Sequence, residues 1–145
     1  TPTTNTSDGS CKKTYTGNWG EPWRTGSPVT ACYNYFPIIY VNTTASATGG
    51  RGQGILLVNG DFSFGGGFEW YGLVIVKDDI KKGNGNSTIH GGIMARNALQ
   101  VGKGEMSEEI TGTTNLLYSG CSLERAMRGS AQVLQAKHRA WTELF

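Results

Sequence analysis

The sequence predicts an all-β fold, a parallel β-helix (β-solenoid) of about four turns with a C-terminal α-helical cap. The first observation is a repeat: apolar segments open on glycines that lie 18, 19 and 21 residues apart, namely Gly54, Gly72, Gly91 and Gly112. Self-similarity at a fixed period is the sequence signature of stacked repeats. Two further sets of apolar residues keep this step: Phe62, Ile80 and Leu99, and Trp70, Ile89 and Ile110. Three apolar positions per period predict a coil with three short strands per turn.

The strands of this coil are expected to be parallel and buried on both faces. Apolar residues occupy successive positions in Ile55–Val58 and Leu73–Val76, which is typical of such strands. One face would line the interior, and the N-terminal segment, the terminal helix or a partner would cover the other. Antiparallel hairpins are the alternative, since Asn59-Gly60 is a strong hairpin turn by itself. A meander, however, does not predict three in-step sets of apolar residues.

The chain of 145 residues is predicted to form one domain in three parts. Residues 1–34 are irregular, residues 35–118 form the solenoid, and residues 119–145 form the capping helix. Ser119 and Ser122 are candidate N-caps, and the apolar residues Leu123, Ala126 and Met127 follow at helical spacing. Solenoids use such a helix to close an open apolar end, so we expect it over the last turn.

The three cysteines suggest one staple in an oxidising compartment. Cys11 and Cys32 flank an irregular loop, and closing about twenty residues by a disulfide contributes roughly 3 kcal/mol in the chain-entropy model. The alternative is two buried or reduced thiols. Cys121 is expected to be a buried small hydrophobe. There is no CxxC pair and only two histidines are present, so we predict no metal site.

The bulk composition excludes several classes of function. A net charge of +2 with 17% charged residues is too weak to indicate a nucleic acid or an anionic membrane as partner. No apolar run approaches the ~20 residues that a membrane span needs. Because the chain starts at Thr1 rather than Met, we expect an upstream segment to have been removed, and we expect an exported protein.

Candidate chemistry is sparse. Asp78 and Asp79, followed by His90, are the best enzymatic candidates, because a glycosidase needs two carboxylates across a sugar-sized groove. Adjacent aspartates on a strand point to opposite faces, and a corner aspartate that bonds the local backbone is the ordinary explanation. We therefore predict no catalytic residues and no cofactor. Trp19 and Trp23 are candidates for a carbohydrate platform, with aromatic plugs that anchor the loop as the alternative.

Several segments between Pro37 and the terminal helix carry a family resemblance. They are Pro37–Val41, Gly52–Asp61, Phe68–Val76, Ile89–Ala95 and Tyr118–Ala126. They resemble the C-terminal β-solenoid region of bacterial pilus-assembly proteins of the PilX type, which carry an N-terminal pilin-like helix. That hydrophobic helix is absent here, so the chain is expected to be either the soluble part of a longer precursor or a separate subunit that docks on one. The resemblance supplies no catalytic residues.

We therefore predict a non-enzymatic structural or assembly subunit of a pilus-like or cell-surface filament. Its location would be extracellular, and its partners would be copies of itself or pilin-like subunits. The interface candidates are aromatic residues before and within the first strand: Tyr33, Tyr35, Phe36 and Tyr40. Their alternative role is to form the first rung or its lid. The alternative function is a secreted carbohydrate-binding or polysaccharide-cleaving β-helix that uses Trp19 and Trp23.

Overall fold

The computed structural model describes residues 3–82, 85–96 and 114–130. These ranges contain eight strands and one helix. The strands are β1 (Ile38–Val41), β2 (Ala45–Thr48), β3 (Arg51–Val58), β4 (Phe62–Gly65), β5 (Glu69–Val76), β6 (Ile80–Lys82), β7 (Ser87–Ala95) and β8 (Thr114–Tyr118), and the helix is α1 (Gly120–Ser130).

The strands form a β-solenoid, as the repeat predicts. One sheet has the order β1-β3-β5-β7-β8 and the other has the order β2-β4-β6. Every strand pair within these two sheets is parallel. Phe62 lies opposite Ile80 and Trp70 lies opposite Ile89, so both predicted stacks are confirmed over these turns. The hairpin alternative is wrong for these strands.

The solenoid has about three turns rather than four. Paired residues on β3 and β5 are 18 apart in sequence, and those on β5 and β7 are 19 apart. The next pairing, β7 with β8, skips 27 residues: Leu116 lies opposite Ile89 and Tyr118 lies opposite Gly91. The places expected for Ile110 and Gly112 are therefore taken by other residues. Leu99, Ile110 and Gly112 themselves lie outside the described ranges.

A column of glycines marks the same point of each turn. Gly54, Gly72 and Gly91 are aligned in register and have φ values of 111°, 138° and 144°. A Cβ on Gly72 would lie 2.1 Å from the carbonyl oxygen of Gly54, so only glycine fits there. Each of these glycines lies inside a long strand. Two of the three short strands predicted for each turn are therefore observed as a single strand with the glycine in its middle.

The core lies between the two sheets. Along β5, buried residues alternate with half-buried ones, and the inward side chains join an aromatic group. Phe62 packs against Phe64 and Phe68 with ring centroids 5.6 Å and 5.9 Å apart, and Phe68 stacks on Trp70. Ile80 is partly buried against this cluster. Burial of such large rings contributes strongly to the free energy of folding.

The part of the predicted cap at residues 131–145 lies outside the described ranges. Helix α1 is the described part, and it packs along the side of the solenoid, which confirms the predicted C-terminal helix. It packs against β3, β5 and β7. The Cβ of Ala126, fully buried, lies beside Gly72, and Leu123 lies beside Gly92. The glycines leave room for a close approach, and the helix covers part of the outer apolar face of the sheet. Ser119 is the N-cap, because its Oγ accepts the N–H of Ser122 at 3.2 Å.

The N-terminal segment is irregular and stapled, as predicted. Cys11 and Cys32 form a disulfide with Cα atoms 4.9 Å apart. The buried Asn18 sits beside it, and its side-chain amide donates to the carbonyl oxygen of Lys12 at 3.1 Å. Cys121 is exposed in the first turn of α1, so the expectation of a buried thiol is wrong. It lies about 200° around the helix from Leu123, away from the sheet.

Candidate functional site

A groove of about 850 Å³ lies where the N-terminal segment meets the solenoid. We call it the tryptophan groove, because it brings Trp19 and Trp23 to one site. Its other walls include the turns at Gly49–Arg51 and Gly67–Phe68 and the charged side chains of Glu21 and Arg24. Its volume falls in the range of small-molecule sites, ~300–1,000 Å³.

The two tryptophans have different roles in this groove. Trp19 is half-buried and packs edge-on against Trp70 with ring centroids 6.0 Å apart. Its carbonyl oxygen accepts the N–H of Gln53 at 2.8 Å, so it anchors the segment to the solenoid. Trp23 is 48% exposed, and its indole N–H donates to the carbonyl oxygen of Ser27 at 2.9 Å. Trp19 is thus an anchor, whereas Trp23 offers a fixed aromatic surface to solvent.

A polar cluster lies on the outer face of the sheet beside this groove. Glu69 is its centre: its carboxylate pairs with Arg51 and accepts the phenol O–H of Tyr71. His90 stacks on Tyr71 with ring centroids 4.3 Å apart, and its Nε2 lies 3.6 Å from Glu69 Oε1. Partial burial and then the hydrogen bond to Glu69 raise the pKa of Tyr71 to about 12. The phenol thus joins the carboxylate of Glu69 to the ring of His90.

Sequence reasoning missed this cluster, although a signal was present. Arg51 and Glu69 are 18 residues apart and Tyr71 and His90 are 19 apart, the same steps as the apolar anchors. Residues one repeat apart lie side by side on neighbouring strands, as the register confirms. Opposite charges and aromatic rings at that step are cross-strand pairs, which stabilise a sheet.

The structure separates the predicted enzymatic candidates. Asp78 lies at the turn after β5, where its carboxylate is 3.8 Å from Arg96. His90 lies level with Tyr71 on the neighbouring strand. Tyr71 is five residues before the end of β5, so roughly 17 Å of strand, at 3.3 Å per residue, separates this level from the turn that carries Asp78. Asp78, Asp79 and His90 therefore do not form one site.

The aspartate of the preceding turn, Asp61, bonds to the backbone of the next turn, which is the kind of role that the sequence suggested for Asp78 and Asp79. Asp61 Oδ1 accepts the N–H of Asp79 at 3.1 Å, and Oδ2 pairs with Lys81 at 3.1 Å. The hydrogen bond from the backbone of Asp79 and then the one from Lys81 hold the pKa of this carboxyl below its usual value. Asp61 joins two adjacent turns at their corner.

The predicted interface residues are placed unequally. Tyr33 and Phe36 are half-buried beneath Arg125 of α1, whose guanidinium carbon lies 4.6 Å and 5.3 Å from their ring centroids. The Tyr35 hydroxyl donates to the carbonyl oxygen of Lys13 at 2.9 Å. Tyr40, by contrast, is 63% exposed. Only Tyr40 of these four presents most of its surface to solvent.

The first strands of both sheets have one unpaired edge within the described part of the chain. Ile55 donates its N–H to Pro37 and Asn59 donates to Val41. Since alternate residues of a parallel strand bond to the same neighbour, the backbone N–H and C=O groups of Ile38 and Tyr40 point away from β3. Ala45 at the start of β2 and Gly49 directly after it donate their N–H groups to the β4 side, so the backbone groups of Ser46 and Thr48 point outward.

No group of three or more metal-ligating side chains is present among the described residues. Within the same ranges, no helix has both the length and the apolarity needed to cross a membrane. No family model, curated protein sequence or solved structure matches this chain significantly. The resemblance to pilus-assembly proteins therefore stays a prediction.

Proposed function

We propose that the protein is a non-enzymatic structural subunit of an extracellular pilus-like or cell-surface filament. The observation that carries the proposal is the N-terminal end of the solenoid, where β1 and β2 leave two strand edges without a strand partner among the described residues. Ile38 and Tyr40 of β1 are also 56% and 63% exposed. Unpaired edges with exposed apolar side chains are templates for association with another chain.

Two further observations support this proposal. The Cys11–Cys32 disulfide fits an extracellular protein, because disulfides persist in oxidising compartments. Tyr40 is an aromatic residue on the exposed edge strand, and aromatic residues are enriched at the cores of protein interfaces. The partners would be copies of this chain or pilin-like subunits that present a complementary strand.

Sedimentation velocity over a range of concentrations, with electron microscopy of the assembled fraction, tests the proposal. The wild type should associate, and the double variant Ile38→Lys/Tyr40→Lys should stay monomeric with a nearly unchanged melting temperature, because both side chains are already exposed. Met127→Lys is the matched control: Met127 is 58% exposed but lies on α1. A wild type that remains monomeric with every pilin-like partner offered contradicts the proposal.

The tryptophan groove favours a second candidate function, binding of a carbohydrate. Exposed aromatic rings beside polar side chains form the usual composition of small-ligand sites, and Trp23 is held in place by its bond to Ser27. A glycan array should then show binding that Trp23→Ala abolishes. Tyr15→Ala is the matched control, because Tyr15 is also 48% exposed and does not line this groove. Absence of glycan binding by the wild type removes this candidate.

A further inference from the structure

The free edge of β1 faces a second groove, of about 260 Å³. We call it the edge groove. One wall is Pro37 with the first three residues of β1, and the other is the N-terminal segment from Lys13 to Thr16. The Tyr35 hydroxyl, bonded to the carbonyl oxygen of Lys13, holds this segment beside the strand. The two walls leave a slot along backbone groups that no described residue satisfies.

We propose that the edge groove binds an extended peptide strand, which adds to the sheet beside β1. Ile38 and Tyr40 each direct one N–H and one C=O into the slot, so a strand of three or four residues can make up to four backbone hydrogen bonds. Strand addition of this kind takes its affinity from main-chain hydrogen bonds and its specificity from alternate side chains. That the strand comes from a neighbouring subunit rests on the function proposed above.

The side chains around the slot define the chemistry of the ligand. Ile38 and Tyr40 lie on the exposed face of β1, so alternate residues of the peptide should be apolar and β-branched to pack beside them. Lys13 is the charged residue among the described residues that line the slot, it is exposed, and it joins none of the ion pairs within the described ranges. Charge complementarity therefore favours an acidic residue at the end of the peptide.

The register of the solenoid argues against the simplest other occupant, the last strand of a second copy stacked head to tail. Tyr118, the last residue of β8, is level with Gly91, and through Gly72 and Gly54 it is level with Pro37. Strand β8 thus ends at the level where β1 begins. An in-register stack of two copies would leave Ile38 and Tyr40 unpaired, whereas a separate extended segment can lie directly beside them.

The test uses a fluorescein-labelled, end-blocked seven-residue peptide of alternating valine and threonine with a glutamate at each end. Fluorescence anisotropy should show saturable binding to the wild type. Tyr40→Pro removes the N–H that points into the slot and is not used in pairing with β3, so it should fold normally but weaken binding about tenfold or more relative to Tyr40→Ser. Tyr40→Ser loses the ring in the same way but keeps the N–H.

Two controls keep the result specific. Lys13→Glu should weaken binding of the glutamate peptide by roughly two- to fivefold, the range of exposed ion pairs. The same variant should bind a peptide with lysine at each end more tightly than the wild type does. Hydrogen exchange should slow at the amides of Ile38 and Tyr40 when the wild type is saturated with peptide. Should Tyr40→Pro fail to fold, Ile38→Pro tests the other outward N–H, and the exchange measurement on the wild type needs no variant.

The proposal falls if the glutamate peptide does not bind, or if Tyr40→Pro binds it as well as Tyr40→Ser does. Binding without protection of these two amides also overturns it, because the peptide then lies elsewhere. Association of the wild type is measured separately by sedimentation. If the wild type associates but does not bind the peptide, the proposed function stands and the edge-groove proposal is wrong. If the wild type stays monomeric but binds the peptide, the edge-groove proposal stands and the proposed function is wrong.

Discussion

At the scale of single residues, the glycine column is the feature on which the coil depends. Gly72 combines a φ of 138° with a carbonyl oxygen 2.1 Å from the place a Cβ would take. Two costs therefore add at this position, an unfavourable backbone conformation and a clash with backbone, and backbone cannot move aside as a side-chain end can.

Gly72→Ala should therefore lower the free energy of unfolding by about 3 kcal/mol or more, since the conformational strain alone costs roughly 1–3 kcal/mol. Urea denaturation followed by circular dichroism measures this change. Gly92→Ala is the matched control: Gly92 does not have a positive φ, and its Cβ would meet Leu123 at an ordinary 3.4 Å. Equal stability of the two variants would contradict the role given to the column.

Because of Tyr71, the free energy of unfolding should depend on pH in the alkaline range. The folded pKa of Tyr71 is raised to about 12, by burial first and then by the bond to Glu69, from an unfolded value of about 10. Below pH 10 the phenol is protonated in both states and the full contribution to stability is present. As pH rises from 10 to 12 the unfolded state loses its proton first, so the contribution is lost.

The free energy of unfolding should thus fall more steeply between pH 10 and 12 in the wild type than in Tyr71→Phe. Urea titrations at several pH values in this window measure both curves, and their difference removes the titration of lysines. Tyr71→Phe also loses the bond to Glu69, which lowers its stability at all pH values without changing its slope. Parallel curves would contradict the coupling of Tyr71 to Glu69.

The residues that the sequence could identify are those whose chemistry follows the repeat. Gly54, Gly72 and Gly91 stand out because a positive φ inside a strand tolerates few other residues. Trp70 and Ile89 stand out because the core needs apolar side chains at one step. The polar cluster around Glu69 keeps the same step, but charges on an outer face are common in any strand, so the pattern alone does not single it out.

At the scale of elements, α1 is the part whose existence was predictable and whose position was not. Leu123 and Ala126 form a helical stripe, and Ser119 caps it. The place where the stripe docks depends on the outer face of the sheet, where Gly72 and Gly92 leave a shallow track. A repeat reports which residues recur, but it does not report which of two apolar surfaces a later helix covers.

Ala126 should tolerate no larger side chain, because it is fully buried against backbone at Gly72. Ala126→Leu should lower the free energy of unfolding by about 1–3 kcal/mol through overpacking, as measured by thermal and urea denaturation. Met127→Leu, a volume-conserving change at an exposed neighbour on α1, should have almost no effect. A neutral Ala126→Leu would mean that the helix does not pack on the sheet in solution.

At the scale of the whole molecule, the number of turns was the least predictable quantity. The step between paired residues is 17 to 19 up to β7 and then becomes 27. A longer connection costs little conformational free energy, since loop closure grows only slowly with length. Nothing in the apolar pattern therefore forbids it, and extrapolation of the regular step placed Ile110 and Gly112 where Leu116 and Tyr118 lie.

The three turns share one core, so they should unfold together. Phe62 is 1% exposed, lies between Ala45 and Ile80 in the register, and contacts Phe64 and Phe68. Through Phe68, which stacks on Trp70, it connects the sheet of three strands to the sheet of five. A substitution at Phe62 should therefore affect both the strands of the two sheets and the surroundings of Trp70.

Phe62→Ala should lower the free energy of unfolding by about 3–5 kcal/mol, the usual cost of a buried phenylalanine. The transitions followed by far-UV circular dichroism and by tryptophan fluorescence should both move, and they should stay coincident, as two-state unfolding requires. Tyr15→Ala, a truncation of an exposed aromatic ring, should leave both midpoints nearly unchanged. If the two transitions separate in Phe62→Ala, the sheet that contains β4 and the sheet that contains β5 unfold independently, and the shared core does not set the stability of the solenoid.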